Sequence, residues 1–154
     1  MVDTPYVDHE VEVLDEAECL ALMGTVLVGR IAFTERALPA VQPVAFALAH
    51  GEVYIPVHRG STVAAASRGA VVAFAVDEID ALALTGWNVT VVGASRLISD
   101  PAAVRRLDEL GLRPWAPADA HCYIGIQTGL VHGRRVSPRT GSVDGVVREA
   151  GRTA

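Results

Sequence analysis

The sequence contains no lysine, and all thirteen of its basic residues are arginine. Schiff-base chemistry and lysine general bases are therefore excluded. Cysteine is nearly as scarce. Cys19 and Cys122 stand far apart and form no C-x-x-C pair, which excludes a clustered thiolate metal site. Both are expected to be buried thiols that behave as small apolar residues. No run of eighteen apolar residues occurs, so no membrane span is expected. Met1 to Glu12 is acidic and mixed, without the basic segment and apolar run of a signal peptide. A cytoplasmic protein is the expectation. The net charge is −5, and without a basic stripe there is no electrostatic case for nucleic acid. Nucleotide-triphosphate, hydrolase and zinc-protease motifs are missing too. No Walker loop, G-x-S-x-G elbow, G-x-G-x-x-G or H-E-x-x-H is present. Asp77, Glu78 and Asp80 lack the spacing of an EF-hand loop and read as a solvated strand end.

What the chain has in excess is apolar character. Hydrophobic residues make up 51% of 154 positions, and mean hydropathy is +0.33. A chain this short suits one core with limited interior volume. The surplus predicts a large interface between copies of the chain, a homodimer in the simplest case.

Local patterns predict six or seven antiparallel strands with two or three short helices, a barrel or sandwich. Residues Met1 to Val13 read as a loose arm. Asp15 and Glu18 have capping-box spacing ahead of a helix that Gly24 stops. Strands follow at Val26–Thr34 and Ala40–Leu48, the second carrying Pro43, which implies an edge or bulge. His50-Gly51 makes a tight turn into a strand over Glu52–Val57. After the polar turn from His58 to Thr62 come a short alanine-rich helix and a strand over Ala70–Val76. Asp77–Gly86 reads as a long loop, and Trp87 opens a strand running on to Ile98. Asp100-Pro101 starts a helix with Asp as cap and Pro at its first position. The last strands are His121–Gln127 and Leu130–Val136. The expected domain is 1–136, with 137–154 a flexible polar tail.

The turn His58-Arg59-Gly60-Ser61-Thr62 is the best local candidate for chemistry. It places a glycine, two hydroxyls and an arginine between a strand and a helix start, a setting suited to phosphate. Ser61 as a plain helix cap is the competing reading. Arg30, among apolar neighbours, needs a partner: an acid such as Asp77, or a ligand. Trp87 could stack on a flat ring or pack in the core. Trp115, between prolines, is expected to cover a loop.

Taken in order, Val28-Gly29-Arg30-Ile31-Ala32-Phe33, Pro39 to Phe46, Gly60-Ser61-Thr62, Val72 to Asp77, Thr85 to Gly93 and Gly133-Arg134-Arg135-Val136 form a pattern. It resembles the pyridoxamine 5′-phosphate oxidase-like, FMN-binding split β-barrel proteins of actinobacterial type, over about Leu14 to Val136. The resemblance implies a mainly β split barrel and a homodimer with flavin at the subunit interface. It implies that His58, Arg59, Ser61 and Thr62 hold the FMN phosphate. Arg30, Ile31, Ala32, Phe33 and Thr34, with Gln42, Pro43, Val44 and Ala45, would line the isoalloxazine ring. Trp87 and Arg134 would come from the neighbouring chain. Thr62 stands where the family turn usually carries lysine, and the arginine and histidine pattern that grips substrate in the vitamin B6 oxidase is not visible. The expected activity is an FMN-dependent oxidoreductase acting on an unidentified small molecule. A deazaflavin-dependent reductase and a non-catalytic flavin-binding or storage protein are the alternatives.

Overall fold

A computed structural model describes residues 8–112 and 121–139. Its elements are β1 (His9–Leu14), α1 (Glu16–Met23), β2 (Val28–Glu35), β3 (Leu38–Ala45), β4 (Ala47–Ala49), β5 (Glu52–His58), α2 (Thr62–Ala66), β6 (Val71–Asp80), β7 (Thr85–Ile98), α3 (Pro101–Asp108), β8 (His121–Gln127) and β9 (Leu130–Pro138). The strands run in the order β3-β2-β6-β7-β8-β5-β4, with β9 joined to β7 and β1 joined to β9. Every described pairing is antiparallel. The sheet curls into a barrel that does not close, in line with the expected split barrel. No helix among the described residues is long and apolar enough to cross a membrane.

Alternation along the strands builds the core. In β2, Ile31 and Phe33 point inward while Arg30, Ala32 and Thr34 point outward. In β6, Val72, Phe74 and Val76 are inside and Ala73 and Ala75 outside. Phe74 is fully buried and meets Phe46 edge to face, with ring centroids 4.8 Å apart. Gly29 makes this possible, because a side chain there would collide with the Phe74 ring. Strand β5 is buried on both faces. Val53, Ile55 and Val57 face the barrel, while Tyr54 joins Tyr123 and Val104 in a second cluster beneath α3.

Strand β7 is the longest element, at 14 residues. One edge pairs with β6. The other pairs first with β9 and then, from Ser95, with β8. Gly93 lies at the hand-over, where the Gln127 carbonyl crosses so closely that no Cβ fits.

Several local expectations hold. Asp15 and Glu18 form the reciprocal capping box of α1. Asp100 caps α3 with Pro101 at its start. His50 and Gly51 adopt the left-handed conformation between β4 and β5. Pro43 lies on β3, which pairs with β2 alone among the described strands. Cys19 and Cys122 are free and fully buried.

Four expectations are corrected. The segment from Met1 to Val13 is not all loose arm: His9–Leu14 pairs with β9 in full register from His9↔Pro138 to Leu14↔Gly133. The stretch Asp77–Gly86 is not a long loop. Both strands continue to a tight hairpin closing at Asp80↔Thr85, where the Asp80 carboxylate accepts from the Leu82 and Ala83 N–H groups at 2.9 and 3.0 Å. The strand expected at Ala40–Leu48 is two strands, because the chain leaves β2 at Phe46 and β4 joins β5 instead. Strand β9 also runs two residues past the expected boundary at 136. Trp115 and residues 140–154 of the expected tail lie outside the described residues.

Candidate functional site

Two of the predicted segments meet. The outward end of β2 and the turn before α2 border a cleft of about 440 Å³ lined by Thr34, Glu35, Arg36, Gly60, Ser61, Thr62, Ala65 and Ala66. Arg36 and Ala37 form the two-residue turn between β2 and β3, with φ of 49° and 63°. This is the left-handed geometry a two-residue hairpin needs, met here without asparagine or glycine.

Opposite that turn, His58 to Thr62 is held by its own hydrogen bonds. His58 Nδ1 accepts from the Gly60 N–H at 3.1 Å, so the ring proton of the neutral imidazole belongs on Nε2, free to donate. The Ser61 hydroxyl donates to the His58 carbonyl at 2.7 Å and accepts from the Ala64 N–H at 3.3 Å. It is the cap of α2 and has its bonds inside the turn. Thr62 is exposed at the start of α2. Arg36, Arg59 and Arg68 have no ion-pair partner among the described residues. The charges of Arg59 and Arg68 reach the buried Cys122 thiol, whose pKa burial pushes up and these two guanidiniums partly lower. The lining offers a phosphate ester the Thr34 and Thr62 hydroxyls and the Arg36 guanidinium; Arg59 and His58, expected to join them, lie on the adjoining turn but not among the lining residues. Glu35 on the same lining opposes them.

The expected ring-lining residues divide by strand parity. Arg30, Ala32, Thr34 and Pro43 lie on the outer face, with Arg30 opposite Pro43 and Ala32 opposite Val41. Arg30 is exposed and binds Asp77 at 3.3 Å, so the acid partner is present. Ile31, Phe33 and Val44 point into the core and are 0%, 7% and 2% exposed, leaving only their backbone for a ligand. Gln42 shares their side of the strand but is exposed at the open edge. Ala45 is half-buried opposite Val28.

Trp87 and Arg134 also come together, though not at this cleft. They border a pocket of about 150 Å³ with Ile79, Leu84, Thr85, Gly86, Asn88 and Val136. Trp87 also packs against the main core, as the second of its two readings expected. Within one chain this pocket and the cleft share no lining residue. Glu35 and Arg36 were missed as site residues. The hairpin turn they occupy was legible, but nothing in the sequence places that turn against Ser61.

Residues 15–135 match the profile of the family described as pyridoxamine 5′-phosphate oxidase. An uncharacterized protein of Mycobacterium tuberculosis is 35% identical over 138 residues, covering 86% of this chain and 90% of that protein. Among solved structures, a Corynebacterium glutamicum protein provisionally named a pyridoxamine 5′-phosphate oxidase superposes with a TM-score of 0.72. It is 25% identical, covering 84% of this chain and all (100%) of the other. An FAD-binding protein of Mycobacterium smegmatis shares the fold, with a TM-score of 0.66, 23% identity and coverage of 82% and 98% of the two chains. With the profile spanning most of its length and a relative of this similarity, the chain belongs to the pyridoxamine 5′-phosphate oxidase family.

Proposed function

We propose that the protein binds FMN between two copies of this chain and serves as a flavin-dependent oxidoreductase for a small molecule in the cytoplasm. One observation carries this reading. Thr34 and the Ser61-Thr62 turn, far apart in sequence, line one cleft with the guanidinium of Arg36, which has no ion-pair partner among the described residues. Thr34, Thr62, Arg36, Arg59 and His58 Nε2 would hold the phosphate, and the outer face of β2 with Pro43 would flank the ring. Bound FMN would supply the electron transfer; the chain's own contribution is binding, orientation and exclusion of water. The flavin named for the M. smegmatis neighbour supports the cofactor class. The buried free thiols suit a reducing compartment.

The second copy has a surface to meet. A row crosses five strands on the outer face: Val41, Ala32, Ala73, Val92 and Leu130. Val41 and Leu130 are 67% and 60% exposed. The next row is Pro43, Arg30, Ala75, Thr90 and His132. The first row, of small and apolar side chains, suits a self-complementary contact. It would bring the Trp87–Arg134 pocket of one copy toward the cleft of the other.

Glu35 in the lining and the Ser61 hydroxyl already spent on its turn favour a second reading, in which flavin is held loosely for storage or sensing. Titration with FMN, followed by flavin fluorescence and by sedimentation, tests the main reading. Saturable binding by a dimer is the expected result, with Arg59→Ala weakening it about tenfold. A protein that binds no flavin and sediments as a monomer refutes it. Turnover with a nicotinamide donor separates the oxidoreductase from the storage protein.

A further inference from the structure

A second concave site lies on the other side of the barrel, under α3. It is a groove of about 370 Å³ between α3, the end of β7 and the β4–β5 turn, within the size range of small-molecule sites. Its apolar lining is Ile98 from β7 and Ala103, Leu107 and Leu110 from the α3 segment, the last three spaced to share a face. Its polar lining is Arg96, Tyr54 and His50 on the strand side and Arg106 on α3.

The polar groups on the strand side are pre-organised. Both oxygens of Glu52 take the Arg96 guanidinium, the Nη2–Oε2 bond being 3.0 Å, and the Tyr54 hydroxyl donates to Oε2 at 2.6 Å. Glu52 is thereby held below the usual carboxylate range, first by Arg96 and then by Tyr54, and it fixes Arg96 in orientation. Arg96 spends two N–H groups on Glu52, and a guanidinium has five. Arg106 has no ion-pair partner among the described residues. The α3 dipole favours cations in its last turn, where Arg105 and Arg106 both sit. Only Arg106 lines the groove. Two arginines against one glutamate leave a single positive charge beside an apolar wall.

We propose that this groove binds a small monocarboxylate with an apolar body. The carboxylate would lie between Arg96 and Arg106, in the fork geometry guanidinium groups offer, and the apolar part against Leu107 and Ile98. One surplus charge suits a monoanion. The site shares no lining residue with the cleft at Ser61 and does not rest on the flavin reading. Tyr54 of the groove and His58, ahead of the Ser61 turn, both lie on β5, roughly 13 Å apart along the strand.

The test is titration of the purified full chain with benzoate, read by amide chemical shifts. Benzamide serves as the uncharged isostere and acetate as the acid without an apolar body. Benzoate is expected to saturate at a Kd of about 1 mM, shifting Ile98, Leu107 and their neighbours, with benzamide and acetate each about tenfold weaker. Arg106→Gln, an exposed substitution that spares the core, is expected to weaken benzoate about tenfold, and Arg106→Lys to recover part of the loss. Failure of benzoate to saturate, benzamide binding as well as benzoate, acetate binding as well as benzoate, or binding unchanged in Arg106→Gln each overturns the proposal.

Discussion

Thr62→Lys should tighten FMN binding, and the geometry says by how much. Thr62 is exposed at the first position of α2 and faces the β2–β3 turn across the cleft. The lining holds one cation, Arg36, and one anion, Glu35, so it presents no net charge to a dianionic phosphate. A lysine at 62 supplies one. A hydrogen bond to a charged group is worth about 1.5–3 kcal/mol. The cleft is open to water, so the lower end applies, less some side-chain entropy. The expected gain is about 1 kcal/mol, or about fivefold in Kd. Folding stability should change by less than about 0.5 kcal/mol, because the position is on the surface. Fluorescence titration with FMN and with riboflavin, which lacks the phosphate, is the assay. The gain should appear for FMN alone and shrink as salt is added. Glu35 could instead capture the new ammonium, so Glu35→Gln is added in a second protein to release it. An equal gain for riboflavin, or no FMN gain in either protein, would refute a phosphate site at this cleft.

Other substitutions probe the frame around the site. Val41→Glu with Leu130→Glu places like charges on the outer-face row and should shift sedimentation to monomer without lowering the monomer's helix and strand content; an unchanged dimer would move the interface elsewhere. Ala37→Gly removes a Cβ from a left-handed position at φ 63° and should stabilise the fold by about 1 kcal/mol in denaturant melts. Phe74→Ala empties a fully buried ring site beside Phe46 and Gly29 and should cost about 3–5 kcal/mol by the same measurement. Asp108 ties α3 to β8, accepting from Tyr123 at 2.8 Å and pairing with His121 at 2.6 Å. Its carboxyl is held below the usual range, first by His121 and then by Tyr123. A depressed folded pKa gives stability that is present above about pH 4 and lost as pH falls through the folded value. Asp108→Asn should therefore lower the melting temperature near neutrality but flatten its decline in acid.

How far the sequence could be read depended on the reach of each interaction. The capping box of Asp15 and Glu18, the His50-Gly51 turn and the Asp100-Pro101 helix start act across three or four residues. All were legible. Pro43 announced an edge strand because a missing N–H is a property of the residue itself. Strand β1 was not legible. Its partner β9 lies more than a hundred residues away, and both Val11 and Val13 stay exposed, so burial left no pattern. The hairpin at Asp80 carried a signal that was overlooked, since an aspartate followed by small residues can close its own turn. In the candidate site, outward residues such as Thr34 and inward ones such as Ile31 follow from strand parity. The turn at Arg36-Ala37 was legible as a turn, but not its left-handed backbone, since neither residue favours positive φ. Only the assembled barrel puts it against Ser61.

The continuous pairing of β7 has a further consequence for how the molecule comes apart. From Gly86 to Ile98 every residue of the strand has β6, β9 or β8 bonded alongside, with β6 covering Gly93 and Ala94 at the hand-over. The proposed subunit face and the α3 groove are therefore built on one backbone. Neither can melt while the other stays folded without tearing a strand bonded to both. Amide exchange along β7 should accordingly be slow and uniform, governed by global unfolding rather than by local opening.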